Sequence, residues 1–481
     1  MRKQTAAIAV LASVIAGTWG GVQAFPQVSQ GASVTRKQGA VDAIVKYTTV
    51  GEPAVITIDV LTNGVSAGAA ARLCITGEVN RLVQPGAHTA VLRTTGVLAN
   101  IPDKDVSVSV RAWATNCPPD YLVISLTNKN EAARYYLTAE DVPDGVTHAR
   151  YKKSHLVMRK IPAANVEWRM GSPELEIGRA GRFGINGGTP YQNRETPHYV
   201  RLTEDYYLGI YTVTYGQHKN AVGNFSYGMW GNADYADYRA DDLPLAPAQF
   251  ASLRSMFHES SGNKCADNCS SYNNYWPRDG HALDTNNTPK CEHSNYPGKY
   301  TPYLRSWRDN TGFEFDLPTD AQWEFACRAE TSGRTYTSGN VRTREAEMPE
   351  NLGDIAWTVE NSSNTTHNCA LPHPVGQKLP NGYGLYDMIG NVWEFCLDKQ
   401  DPISGTFEEA AVDPDGGMFV NIRSIDRVIR GGSCNSDIRC CRSAMRGLSN
   451  PANLEAAPYA VDHSPSWTVG YRLWLPAHAV R

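Results

Sequence analysis

The sequence predicts an all-β, sandwich-like domain followed by an α+β domain that is rich in strands and ordered loops. The chain has 481 residues, of which 41% are hydrophobic, and this length suffices for two or three domains with cores of their own. Glycine, tyrosine and tryptophan are plentiful, with 41, 24 and 11 copies, whereas long amphipathic helical patterns are scarce. This combination favours strands and loops over a helical bundle.

The charge balance excludes some classes of partner. The formal net charge is −4 and the sequence pI is about 6.3, and no block of like charge occurs along the chain. Because basic blocks are what attract nucleic acids and anionic membrane surfaces, we expect no nucleic-acid partner.

Residues 1–24 have the pattern of a secretory signal peptide. Arg2 and Lys3 supply the positive start, the stretch from Ala6 to Val22 is small and apolar, and Ala24 ends a cleavage-site pattern. A membrane anchor is the alternative, but the apolar run is short and is interrupted by glycines. We therefore expect a secreted or periplasmic protein without stable membrane insertion, whose mature chain begins at Phe25.

The chain contains eleven cysteines, which is an odd number. In an oxidising compartment some of them should pair, leaving at least one free, bound to a metal or joined to another molecule. The connectivity does not follow from the sequence.

Residues 25–150 are predicted to form the sandwich-like domain. Turn signals such as Asn63-Gly64 and Pro85-Gly86 separate its apolar segments. The segments with strand patterns are Ala54–Val60, Val91–Arg93, Val106–Val110 and Tyr121–Leu126. A disulfide between Cys74 and Cys117 could close this domain.

The tract Gly64–Gly68 matches the nucleophile elbow of hydrolases around Ser66. That chemistry requires a strand before the serine, a helix after it, and acid and histidine partners downstream. Because Asn63 precedes the tract and asparagine-glycine is a turn signal, we interpret it as a plain turn.

A basic stretch leads into the second domain, with a linker predicted at 151–160 and the domain itself at 161–479. Two capping boxes, Thr214 with Gln217 and Thr319 with Gln322, mark helix starts. Residues 259–300 are rich in Asn, Ser, Tyr and Cys and are predicted to form an ordered surface insertion. Cys265, Cys269, Cys291 and His293 within it are a zinc set by residue type, but disulfides are the alternative.

The second domain resembles the formylglycine-generating enzyme, or sulfatase-modifying factor, family at a series of motifs in the same order over about residues 160–478. The matching segments are Met170-Gly171, Glu195–His198, Tyr211–Thr214, Leu317–Ala329, Asn381–Glu394, Arg430–Ser433 and Gly470–Arg472. The run Asn381–Glu394 (NGYGLYDMIGNVWE) is the most specific to the family. The resemblance implies a C-type-lectin-like α+β fold with little regular secondary structure.

The resemblance also implies a structural calcium ion. Its ligands would be the carboxylates of Asp387 and Glu394 and the carbonyl oxygens of Gly390 and Val392. Calcium takes six to eight oxygen ligands of these two kinds, so the chemistry agrees. The alternative is a turn in which Asp387 accepts a backbone N–H and Glu394 forms an ion pair.

The catalytic loop departs from the copper-using members of this family. In them, two cysteines stand at the positions of Ser436 and Cys441, because two thiolates hold soft Cu(I) well. Here Cys441 is present but Ser436 replaces the first thiol. A copper pair could be formed instead by Cys434 with Cys440 or Cys441, with Arg430 ordering the loop. The other interpretations are a Cys441–Cys327 disulfide, a Cys440–Cys441 disulfide, or unreactive thiols.

Two functional hypotheses follow from this resemblance. In the first, the protein is a copper- and O₂-dependent oxidase that converts a cysteine of an unfolded sulfatase peptide to formylglycine, with Cys441, Cys434 and Cys440 as candidate catalytic residues. In the second, it is a non-catalytic, calcium-stabilised, lectin-like module that binds a glycan or a protein. The resemblance also includes non-haem iron sulfoxide synthases, which need a separate helical domain with a three-residue His/Glu iron site. We do not expect that activity, because the N-terminal half is strand-like and its histidines are scattered.

Overall fold

The computed structural model describes most of the chain outside its first 24 residues and several loops. The described residues are 25–36, 40–174, 176, 195–223, 240–246, 303–336, 352–364, 369–399, 409–414, 427–436, 438–449 and 468–480. The chain divides into two compact units, Met1–Tyr151 with Pro476–Arg481, and Lys152–Leu475. The signal segment 1–24 and the insertion 259–300, with its zinc or disulfide candidates, lie outside the described residues.

The first unit is built almost wholly of strands. Its strands are β1 (Gln27–Arg36), β2 (Asp42–Val50), β3 (Ala54–Thr62), β4 (Val65–Ser66), β5 (Ile75–Gly77), β6 (Arg81–Val83), β7 (Gly86–Arg93), β8 (Val106–Ala114), β9 (Tyr121–Ser125) and β10 (Arg134–Tyr136). Among the described residues, one helix, α1 (Ala69–Arg72), and four 3₁₀ turns join them. The four segments predicted from their strand patterns all contain strands.

Two sheets enclose the core of the first unit. One has the order β1-β2-β7-β5, and the other has β4-β3-β6 with β8 on the far side of β3. Alternate residues of β2, namely Ala43, Val45, Tyr47 and Thr49, are buried, as expected for a strand with one face against the core. Ala43, Val45 and Tyr47 pack with apolar side chains of β3, β7 and β8 into one cluster.

Two details of the first unit test the predictions made for it. Asn63 and Gly64 have φ of 52° and 80°, so they form the hairpin turn between β3 and β4. The Ser66 hydroxyl donates to the Asp59 carboxylate at 3.0 Å, consistent with a plain turn. The prediction of a Cys74–Cys117 disulfide was wrong, since both cysteines are free and the Cys74 thiol contacts the carbonyl of Ala70.

The second unit combines short sheets with short helices. Its strands are β11 (His155–Ile161), β12 (Val166–Met170), β13 (His198–Leu202), β14 (Tyr206–Gly209), β15 (Ser363–Asn364), β16 (Cys369–Ala370), β17 (Trp393–Lys399), β18 (Ala411–Val412), β19 (Arg427–Arg430), β20 (Arg446–Ser449), β21 (Val469–Gly470) and β22 (Trp474–Pro476). Its helices are α2 (Tyr215–Ala221), α3 (Tyr303–Thr311), α4 (Asp320–Arg328) and α5 (Leu352–Ile355). The sheet-rich α+β class is therefore confirmed.

Residues 151–160, which the sequence predicts to be a linker, contain most of a core strand. This strand, β11, pairs with β14 in antiparallel register, Met158 opposite Gly209. Its apolar residues Leu156, Val157 and Met158 are buried, and this burial makes the segment a core strand despite its flanking positive charges.

Both predicted capping boxes are confirmed. The hydroxyl of Thr214 accepts the Gln217 N–H at the start of α2, and that of Thr319 accepts the Gln322 N–H at the start of α4. All nine residues of α4 are buried, including its charged side chains. The helix therefore lies inside the second unit and directs ionic groups towards the surrounding loops.

A four-stranded sheet with the order β20-β19-β17-β21 lies beside α4 and carries the most family-specific motifs. Trp393 and Glu394 open β17, and Arg430 ends β19 opposite Glu394. The cysteine loop, residues 431–445, connects β19 to β20. Among the described residues, no helix is long and apolar enough to cross a bilayer.

Candidate functional site

The cysteine loop gathers all three predicted copper ligands. Cys434 and Cys441 have no exposed surface, and Cys440 is 7% exposed. A copper oxidase needs its sulfurs to face a groove that admits a peptide and oxygen. The structure brings these residues into one loop but buries them.

The start of the loop is closed by two serines. The Ser433 N–H donates to the Ser436 hydroxyl at 2.9 Å, the two hydroxyls lie 3.0 Å apart, and the Ser436 N–H donates to the Ser433 carbonyl at 2.9 Å. Both serines are fully buried. The position of the expected thiol is thus a hydroxyl that holds a tight turn together.

Cys441 packs against the glycines that begin the loop. A Cβ atom added to Gly432, whose φ is 78°, would lie 2.8 Å from the Cys441 sulfur. The prediction of a Cys441–Cys327 disulfide was wrong, since Cys327 is a free cysteine. Its burial raises the pKa of the Cys327 thiol to about 12. The Cys440–Cys441 disulfide stays a prediction.

Arg430 orders the loop, as expected from the sequence. Its guanidinium is fully buried and donates to the carbonyls of Ser443 and Met445 at 3.2 and 3.1 Å. It also pairs with Glu324 at 2.9 Å and with Asp320, both on α4. The arginine therefore ties the end of the cysteine loop to the buried helix.

Arg442 makes a second buried ion pair directly beside the cysteines. Its guanidinium contacts both oxygens of Glu195 at 2.8 Å and one oxygen of Glu176 at 2.7 Å. The Ser172 hydroxyl donates to Glu195 at 2.7 Å. Burial alone would raise the pKa of Glu195, but Arg442 and Ser172 hold it below its ordinary value. The structure therefore keeps this carboxylate charged inside the protein.

Asp387 has the surroundings of a carboxylate that a cation would stabilise. Asp387 is 2% exposed, and its carboxylate accepts a hydrogen bond from the Gly376 N–H at 2.7 Å. Burial raises its pKa to about 6, because a charged carboxylate is costly in an apolar environment. Its φ of 54° places it in a left-handed turn. This residue fits a calcium ligand.

Glu394 has other partners in this structure. One oxygen accepts the Thr212 hydroxyl at 2.7 Å and the other accepts the Trp323 indole N–H at 2.7 Å. The Arg472 guanidinium contacts both oxygens, with its shortest distance 2.7 Å. As arranged, the arginine supplies the positive charge that calcium would bring, so this residue fits a calcium ligand poorly.

The surroundings of Asp387 and Glu394 therefore match the alternative left open by the sequence, a turn and an ion pair. Gly390 and Val392 lie between them, where the Gly390 N–H donates to the Gly431 carbonyl at 2.9 Å. Within the described part of the chain, no group of three or more His, Cys, Asp or Glu side chains is placed to hold a metal ion. Calcium at these four residues stays a prediction.

Sequence reasoning missed the role of Asn391, which lies inside the family motif between two predicted ligands. Its side chain exchanges two hydrogen bonds with the backbone of His373, at 2.9 and 3.0 Å. Its backbone N–H donates to the Trp357 carbonyl, and its carbonyl accepts the Cys434 N–H. It thus joins three loops, and a fully buried asparagine with φ of 60° follows no simple sequence pattern.

A comparison of the sequence with models of known protein families agrees with the motifs and their order. The model described as the sulfatase-modifying factor enzyme 1-like domain matches residues 174–457, which is more than half of the chain. The chain belongs to the sulfatase-modifying factor family.

Relatives of known name in this family match only a part of the chain. The formylglycine-generating enzyme of Streptomyces coelicolor is 33% identical over 160 residues, covering 31% of this chain and 49% of the relative. That of Mus musculus is 30% identical over 159 residues, covering 31% and 40%. The match thus spans about half the length of these relatives or less.

Parts of the chain are also similar to proteins with other names. Serine/threonine-protein kinase Pkn1 of Chlamydia trachomatis is 32% identical over 143 residues, covering 29% of this chain and 19% of the kinase. Among solved structures, variable protein 1 of Treponema denticola covers 67% of this chain and 95% of its own at 20% identity, with a TM-score of 0.38. PvdO from Pseudomonas aeruginosa covers 66% and 94% at 17% identity, with a TM-score of 0.40.

Proposed function

We propose that this sulfatase-modifying factor protein is a non-catalytic binding module and not a copper-dependent formylglycine-generating oxidase. The observation that carries the proposal is Ser436, which stands where copper-using relatives have a thiol and whose hydroxyl is engaged with Ser433. A hydroxyl is a poor ligand for soft Cu(I), which selects thiolates. The loop therefore lacks one half of the expected metal site.

The burial of the remaining cysteines supports the same proposal. Cys434 and Cys441 are both inaccessible, and Cys441 packs against the backbone at Gly432. A substrate cysteine has to reach the metal before a hydrogen can be abstracted from it. Cys434 and Cys441 therefore have a structural role in the loop, where they are held by packing.

The rest of the proposal concerns the setting of the module. The module acts outside the cytoplasm after removal of residues 1–24. Its fold is C-type-lectin-like, and a calcium ion at the predicted ligands Asp387, Gly390, Val392 and Glu394 would add to its stability. Its ligand is a glycan or a protein. The strand-rich first unit serves as a spacer or as a second contact surface.

Titration of the purified mature chain with Cu(I) against a chromogenic chelator tests this proposal. We expect no binding tight enough to compete with the chelator, and equal titrations for the wild type, Cys441→Ser and the control Cys327→Ser. We also expect no conversion of cysteine to formylglycine in a sulfatase-derived peptide supplied with copper and oxygen.

Stoichiometric Cu(I) binding that is lost in Cys441→Ser and kept in Cys327→Ser would overturn the proposal. It would assign the oxidase activity to Cys441 with Cys434 or Cys440.

A further inference from the structure

The strand β12 forms one edge of the sheet β12-β13-β18 in the second unit. It pairs with β13 in continuous antiparallel register, from Val166 opposite Leu202 to Met170 opposite His198. On its other side, no strand of the described residues pairs with it. Such an edge is where a further strand can extend a sheet by backbone hydrogen bonding.

β12 has few of the features that keep an edge strand from pairing. Natural edge strands are commonly blunted by bulges, prolines or charged side chains. The edge strand β1 of the first unit has two register shifts against β2. By contrast, the pairing of β12 with β13 has no register shift, and β12 contains no proline. What remains to decide its behaviour is the arrangement of its charges.

The charged side chains of β12 lie on the solvent side of its sheet. Trp168, in the middle of the strand, packs against Phe325 of α4, with ring centroids 5.5 Å apart. Because successive side chains of a strand point to opposite faces, Glu167 and Arg169 lie on the other face, and both are exposed. Arg201 of β13 lies opposite Glu167. The edge therefore presents one negative and one positive residue, with Trp168 between them.

The spacing of these two charges fits a second copy of the same strand. Two identical strands that pair antiparallel are related by a two-fold axis. With the axis at Trp168, Glu167 of each copy lies opposite Arg169 of the other, so both cross-strand pairs join opposite charges. With the axis at Glu167 or at Arg169, identical charges would face each other, which is destabilising. The sequence of β12 therefore favours one two-fold register.

We propose that two copies of this protein associate edge to edge through β12, with Trp168 on the two-fold axis. The three-stranded sheet of each copy then continues into that of the other. Glu167 lies between Arg201 of its own chain and Arg169 of the second copy. On the opposite face the two Trp168 rings meet across the axis, where cross-strand aromatic pairs add stability. This inference goes beyond the proposed binding function and does not depend on it.

Sedimentation velocity of the full mature chain over a series of concentrations tests the association. We expect a reversible equilibrium between monomer and dimer. Arg169→Glu and Glu167→Arg each place like charges opposite each other on both sides of the axis, and each should raise the dissociation constant of the dimer at least about tenfold. The double variant restores opposite charges in the same register, so it should recover the dissociation constant of the wild type.

Lys46→Glu is the matched control, because it reverses a charge at an exposed strand position of the first unit. We expect it to leave the dissociation constant unchanged. Hydrogen exchange of the wild type gives a second measurement that needs no variant to fold. The amides of residues 166–170 should exchange more slowly as the protein concentration rises through the dissociation constant, because pairing protects them.

Four sedimentation results would overturn the inference: a monomer at every concentration, an unchanged dimer in both single variants, a double variant as weak as the single variants, or assembly into open polymers. Open polymers would mean that β12 pairs with a different edge of the second copy. Exchange at 166–170 that does not depend on concentration would overturn it as well. Cu(I) binding that is lost in Cys441→Ser would end the proposed non-catalytic function and would leave these results unchanged.

Discussion

Three arginines, Arg430, Arg442 and Arg472, have no exposed surface, and each is paired with carboxylates in the second unit. Replacing Arg442 by Met should destabilise the second unit by about 3–5 kcal/mol, because the charges of Glu195 and Glu176 would remain buried without their cation. Urea denaturation followed by near-UV circular dichroism measures this. The exposed Arg201→Met variant should change stability by less than about 0.5 kcal/mol. Equal effects of the two substitutions would contradict the role assigned to Arg442.

Asp398 should make the second unit less stable as the pH rises. Burial and the neighbouring Asp320 raise its pKa to about 8, while Arg446 and Arg430 oppose this rise. Since an unfolded aspartate titrates near pH 3.9, the contribution of Asp398 is fully present below about pH 4 and is lost as the pH rises through about 8. Asp398→Asn should therefore raise stability at pH 8.5 by about 1 kcal/mol or more and change little at pH 4. Thermal melts at both pH values test this, and a variant less stable at pH 8.5 would refute it.

Helix α4 depends on its first turn, because its buried face carries the carboxylates that pair with Arg430. Thr319→Ala removes the hydroxyl that accepts the Gln322 N–H and should cost about 1 kcal/mol. Thr319→Ser keeps the hydroxyl and should cost much less. The difference in the urea midpoint between these two variants isolates the cap, and two identical midpoints would show that the hydroxyl contributes nothing.

The beginning of the cysteine loop depends on a glycine for two reasons that can be separated. Gly432 has φ of 78°, and an added Cβ would meet the Cys441 sulfur at 2.8 Å. Gly223 has φ of 110°, and an added Cβ would meet nothing within 4 Å. Gly223→Ala should therefore cost only the backbone strain, about 1–2 kcal/mol, whereas Gly432→Ala should cost about 1–3 kcal/mol more through overpacking. If both variants lost the same free energy of unfolding in chemical denaturation, the loop would have to rearrange to make room for the extra methyl group.

Over the whole molecule, sequence patterns predict the local secondary structure better than they predict the buried ion pairs. The strands β3 and β8 and the cap at Thr319 follow from residue spacing, and the structure contains them. By contrast, the ion pairs of Arg442 with Glu195 and of Arg472 with Glu394 join residues far apart in the sequence, so no local pattern predicts them. The strand β11 was missed because its flanking positive charges outweighed a short apolar core.

Calcium is the remaining question that concerns the stability of the whole second unit. If an ion binds Asp387 as the sequence predicts, Ca²⁺ at about 100 times its dissociation constant should stabilise that unit by about 2.7 kcal/mol. The ion would do so by offsetting the buried charge of Asp387. Differential scanning calorimetry with calcium and with EGTA measures the shift. Asp387→Ala should abolish it, while the exposed Asp354→Ala should keep it. A melt that ignores calcium would instead mean that Arg472 alone neutralises Glu394, and that the loop from Asp387 to Glu394 is held by the ion pair and the turn.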